Sequence, residues 1–131
     1  MALPGGKRER ADKDLKATVT RETLEETGID LSDGRFLGVL PPVRSTPKRD
    51  LLILPFVILL EKEPRIRLSS SELEAYIWVS YEKIVSSRGK ATIPSIGEVS
   101  AYLVTDAVVV WGITYRILKA FSEAVGDIKK Q

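Results

Sequence analysis

The chain has 131 residues, enough for one domain with a real core and too few for two. With 20 lysines and arginines against 18 aspartates and glutamates, the net charge is +2, and nothing in that balance argues for nucleic acid or an anionic membrane. Cysteine and histidine are both absent, which excludes disulfides, thiolate nucleophiles, imidazole bases and the Cys/His sets that hold zinc, copper or non-haem iron.

Any chemistry therefore falls to carboxylates, hydroxyls, lysine and an oxygen-bound metal ion. No apolar run reaches the ~18 residues of a membrane span. The first residues, Met1 to Arg8, have no apolar stretch behind their charges, so the expected compartment is the cytoplasm.

Leu3-Pro4-Gly5-Gly6 opens the chain with a tight, glycine-permissive turn. Asp12 or Asp14 can cap a helix that runs to about Thr27, with Gly28 as its left-handed C-terminal cap. Arg35 to Leu40 reads as a strand ended by Pro41-Pro42, and Val43 to Asp50 as a polar loop. Leu51 to Leu60 is almost uniformly apolar and reads as a buried central strand, with Pro55 at a bulge or an edge.

Glu61 to Ser71 reads as a turn region, Ala75 to Val79 as a short strand, and Tyr81 to Ser86 as a helical turn or two. Lys90 to Pro94 and Val99 to Val110 read as strands, the second a hairpin broken at Thr105-Asp106. Gly112 to Val125 is an amphipathic helix with Ile113, Ile117, Phe121 and Val125 on one face, closed by Gly126. The order predicts a single mixed α/β domain over residues 1–131, with a mixed sheet flanked by helices.

Arg21 to Ile29 carries the chemistry. Glu22, Glu25 and Glu26 stand at i, i+3 and i+4 of the first helix. At ~100° per residue, Glu22 and Glu26 fall about 40° apart, with Glu25 flanking Glu22. Like charges at this spacing repel by a few tenths of a kcal/mol. A hard divalent cation bound through oxygen turns that repulsion into a site. Taken alone, Glu-x-x-Glu-Glu is commonly a solvated helix face; the Gly-Gly turn upstream, Arg21 and Gly28 shift the reading to a metal-assisted phosphate enzyme.

Gly6, Arg21-Glu22 and Glu25-Glu26-Thr27-Gly28-Ile29 resemble the Nudix box of the Nudix hydrolases, here spanning about residues 5–29. Thr23 stands where that pattern has an aliphatic residue. Asp12 replaces its first glutamate, eight residues before Arg21 rather than seven, and Asp14 can share that place. The resemblance implies Mg²⁺ or Mn²⁺ on Glu22, Glu25 and Glu26, with the Gly5 carbonyl as a further ligand. It also implies structural roles for Gly6, Asp12, Arg21 and Gly28, Arg21 pairing with Glu25.

Leu40-Pro41-Pro42, Pro55-Phe56-Val57, Ser71-Glu72 ahead of Trp78, and Trp111-Gly112-Ile113-Thr114-Tyr115-Arg116 resemble the coenzyme A pyrophosphatase branch of that family. The implied reaction is metal-dependent hydrolysis of a diphosphate linkage in a nucleoside diphosphate derivative, such as coenzyme A. Glu72 resembles the downstream acid that completes such a site, with Glu74 and Glu98 as substitutes. Lys7, Arg8, Arg44, Lys48 and Arg49 are the cations for substrate phosphate, each also readable as a solubilising loop charge.

Nudix domains place strands ahead of the Gly-Gly turn that only Met1 to Pro4 precede here. The expectation is therefore an open sheet edge and a homodimer. The competing readings are an ADP-ribose or nucleoside triphosphate pyrophosphatase, a Nudix-fold module that binds nucleotides without cleaving them, and an assembly protein.

Overall fold

The computed structural model describes residues 2–45, 51–69 and 75–130, with side chains to 127. The chain divides into two compact units, Leu3–Val39 with Phe56–Ile77, and Leu40–Pro55 with Trp78–Gln131 and Met1–Ala2. Helices and short antiparallel sheets alternate in both, a Nudix-like α/β fold.

The first unit is built on helix α1, Leu15–Thr27, and the strand pair β1 (Arg35–Val39) and β4 (Phe56–Leu59). Asp14, in extended backbone, accepts the Ala17 N–H at 2.8 Å and starts α1. Gly28, at φ +76°, ends it by donating its N–H to the Leu24 carbonyl at 2.9 Å. The buried side of α1 consists of Thr18, Thr23 and Thr27 rather than aliphatic residues. Two of these hydroxyls are bonded locally: Thr27 donates to the Thr23 carbonyl at 2.7 Å and Thr18 to Asp12 at 3.0 Å. β1 carries a bulge between Phe36 and Gly38, where the glycine sits at φ +155°. Phe36 packs against Phe56 with the rings tilted by 46°, and Lys16 lies over the Phe36 ring at 5.0 Å.

The second unit holds the hairpin β2–β3 (Val43–Arg44, Leu52–Ile53), helix α2 (Tyr81–Ser86), and the antiparallel sheet β5–β6–β7. The strands of that sheet are Arg88–Ile93, Gly97–Leu103 and Val109–Val110, and helix α3, Gly112–Lys130, follows. Ile84, Tyr102, Val104, Val110 and Tyr115 form the core, with Val79, Val108 and Leu118 packed against them. Tyr102 meets Tyr115 edge to face at 4.8 Å, a geometry worth ~0.5–1.5 kcal/mol beyond burial.

Four sequence expectations are corrected. Leu51 to Leu60 is not one buried strand: it divides at Pro55 into β3 and β4, which belong to different sheets. Proline cannot donate to a ladder, and the Pro55 carbonyl instead accepts the Leu40 N–H at 3.0 Å. Leu52 and Leu59 are exposed, so the apolar run marked strand content but not depth. Val43–Arg44, expected as loop, pairs with Leu52–Ile53. Ala75 to Val79 forms no strand among the described residues, and Tyr76, Ile77 and Trp78 are exposed. Finally, Gly126 does not close α3, which runs on to Lys130; a helix tolerates an interior glycine at a cost of about 1 kcal/mol. No helix among the described residues is long and apolar enough to cross a membrane.

Candidate functional site

Arg21 is the hub around which the acids of α1 and the turn before it are arranged. Its Nε and Nη2 donate to the two carboxylate oxygens of Asp12, each at 3.0 Å, a bidentate fork. Nη2 also donates to the Lys7 carbonyl at 3.1 Å, tying the Gly-Gly turn to the helix. Nη1 reaches Glu22 at 2.8 Å, Glu25 at 3.3 Å and Glu9 at 3.4 Å.

Asp12 is buried. Besides Arg21 it accepts the Glu9 N–H at 2.8 Å and the Thr18 hydroxyl at 3.0 Å. The Arg21 hydrogen bonds, followed by the Glu9 N–H, hold its carboxyl well below the usual carboxylate range. Reciprocally, Asp12 and then Glu22 raise Arg21 above the ordinary arginine value against its burial. Asp12 thus partners Arg21, while Asp14 caps the helix.

The turn lies directly on the acids. A Cβ built on Gly6 would overlap the Glu22 carboxylate, which would have to swing aside to admit any larger residue. The Gly5 N–H is hydrogen-bonded to Glu26. Burial is the main force raising Glu26 above the ordinary glutamate value; the Gly5 bond opposes it, and the charges of Glu22 and Glu25 add to it.

The donor set is oxygen-only, as a hard divalent ion takes. As placed, however, Glu22 and Glu25 are turned to Arg21, and among the described residues no three acids gather around a common point. An ion would be held by Glu22, Glu25 and Glu26 once the first two exchange Arg21 for it.

The remaining predicted residues are dispersed. Lys7 and Arg8 are exposed on the turn, and Arg8 donates to the Lys13 carbonyl at 3.3 Å. Arg44 is exposed on β2, and its carbonyl accepts from Arg116 at 3.1 Å. Glu98 is exposed and pairs with Lys90 at 3.4 Å. Lys48, Arg49, Glu72 and Glu74 lie outside the described residues.

One contributor was missed. Arg67 donates its N–H to the Thr27 carbonyl at 2.7 Å and Ser69 to the Glu26 carbonyl at 3.2 Å. These carbonyls end α1 and have no partner within the helix. The alternation Arg65, Ile66, Arg67, Leu68, exposed and half-buried in turn, was the available signal for an extended segment.

Comparison with known proteins places the chain in a family. The NUDIX domain family matches residues 1–98, and the chain belongs to that family. It is similar to an uncharacterized protein of Schizosaccharomyces pombe, 42% identical over 84 residues, covering 60% of this chain and 26% of that protein. It is also similar to Nudix hydrolase 22, chloroplastic, of Arabidopsis thaliana, 32% identical over 128 residues, covering 90% of this chain and 42% of that protein. The chain therefore spans less than half the length of these curated relatives.

Proposed function

We propose that the chain, as a single Nudix-like domain, hydrolyses a diphosphate linkage in a nucleoside diphosphate derivative with Mg²⁺ or Mn²⁺. The observation that carries this is the trio Glu22, Glu25 and Glu26 on one helix, pressed against a Gly-Gly turn and organised by Arg21. The name of the Arabidopsis relative supports hydrolysis. Glu22, Glu25 and Glu26 would hold the ion, which when bound would neutralise phosphate oxygens and activate water at neutral pH.

The rest is done by the chain. Glu26, with its carboxyl raised above the ordinary glutamate value by burial, is assigned as a proton acceptor. Arg21, through its fork on Asp12 and its bond to the Lys7 carbonyl, ties the Gly-Gly turn to the glutamate helix. Glu72, from its place in the sequence ahead of Trp78, is assigned as the acid that completes the site. Lys7 and Arg8 are the cations nearest in sequence to the glycine turn and are assigned to substrate phosphate.

Coenzyme A is the first substrate to test, on the Trp111–Arg116 run and the Pro41-Pro42 pair. The exposed Phe36, Leu37, Val39 and Leu59 of the β1–β4 pair support self-association as a homodimer. We retain the cytoplasm as the compartment.

A second reading rests on one observation: Nη1 of Arg21 occupies both Glu22 and Glu25. If it stays there, the domain binds nucleotides without cleaving them. Coenzyme A, ADP-ribose, dinucleoside polyphosphates and nucleoside triphosphates, each with Mg²⁺ or Mn²⁺, separate the readings. Metal-dependent release of a phosphorylated product that Glu26→Gln lowers by orders of magnitude is expected. Binding without cleavage establishes the second reading.

A further inference from the structure

A groove along α3 carries chemistry that the glutamate helix does not use. It belongs to the second unit alone, encloses about 250 Å³, and runs between Pro41, Pro42 and Val43 on one side and Arg116, Lys119 and Ala120 on the other. Arg116 and Lys119 are three residues apart and so share a face of the helix. The Arg116 guanidinium is steadied from one end, because Nη1 donates to the Arg44 carbonyl at 3.1 Å. Among the described residues, no carboxylate lies within ion-pair distance of it. Lys119 is shared with Glu123, 3.4 Å away, which also lines the groove.

The facing wall contributes little to an anion. Proline has no N–H, so Pro41 and Pro42 offer ring methylenes rather than donors. A ligand in this groove must present its charge to α3 and lay an apolar part on the prolines. We infer that the groove binds the phosphate of a small phosphorylated compound, with Arg116 as a guanidinium fork and Lys119 as a point charge. A carboxylate needs only one cation and leaves Lys119 with Glu123. A phosphate dianion has charge and oxygens for both, and can draw Lys119 across. The volume lies below the ~300–1,000 Å³ of sites for drug-sized ligands, so the occupant is small. None of this requires a metal or the acids of α1.

The test is a titration of the intact chain with inorganic phosphate in EDTA, followed by amide and arginine Nε resonances. Saturable shifts at Val43 and along Arg116–Ala120 are expected, with a dissociation constant on the order of 1 mM. Arg116→Gln should weaken binding at least fivefold and Arg116→Lys by an intermediate factor. Glu26→Gln should bind phosphate as the parent does, which separates this inference from the proposed hydrolysis. Should Arg116→Gln melt early, Lys119→Gln carries the test with an expected loss of at least twofold. Shifts that never saturate, acetate binding as tightly as phosphate, or both variants binding like the parent would overturn the inference.

Discussion

Replacing Gly28 by alanine tests the junction between the glutamate helix and the segment that follows β4. The residue sits at φ +76°, where a side chain costs roughly 1–2 kcal/mol. A new Cβ would also lie 3.3 Å from the Arg67 Cβ and 3.5 Å from the Arg67 nitrogen, close enough to push that segment outward. Alanine narrows the unfolded ensemble, which returns about 0.4–1 kcal/mol. The net destabilisation is therefore roughly 1 kcal/mol. With a melting entropy near 2.1 cal/mol/K per residue, a chain of 131 residues should lose about 4 °C in Tm. Gly28→Asn, which tolerates the left-handed region better, should lose about half as much. Amide exchange at Arg67 and Ser69, whose N–H groups are bonded to Thr27 and Glu26, should quicken in the alanine variant. A Gly28→Ala protein that melts at or above the parent, with unchanged exchange at Arg67, would refute the left-handed cap and the docking of that segment.

Two further outcomes are expected. Asp12 is held below the ordinary carboxylate range by Arg21, so as pH falls the unfolded chain takes up the proton first. Its stabilisation is complete above the unfolded value near 4 and is lost as pH falls towards the folded value; Asp12→Asn should flatten the acid limb of a Tm-against-pH curve, and an unchanged limb would count against the Arg21 fork. Glu72→Gln should lower turnover more than it weakens metal binding, whereas Glu98→Gln should be mild because Glu98 is exposed and paired with Lys90. Greater sensitivity at Glu98 would move the completing acid to β6.

What was legible in the chain was what neighbours in sequence decide. The Asp14 cap, the Gly28 stop, the three-acid spacing and the Arg21–Glu25 pair are all contacts within four residues, fixed by helical geometry. The amphipathic face of α3 was readable for the same reason, although its end was not, because the helix carries an interior glycine through to Lys130. The assignment of Leu51 to Leu60 failed because hydrophobicity reports that a segment prefers a sheet, not which sheet or how deep. Pro55 was the discriminating residue, and it divides the run between two partners. The Asp12–Arg21 fork spans nine residues and was visible only as a departure from the family pattern. The Arg67 and Ser69 bonds are backbone to backbone and leave almost no trace in side-chain identity.

The central claim is that Glu22, Glu25 and Glu26 hold a divalent ion. Titrating Mn²⁺ into the intact chain, with free ion read by electron paramagnetic resonance, tests it without requiring the substrate to be known. One ion should bind per chain, and Glu26→Gln should weaken it at least tenfold, about 1.4 kcal/mol, while far-ultraviolet circular dichroism stays unchanged. Equal Mn²⁺ binding by parent and Glu26→Gln, or none by either, would contradict the claim.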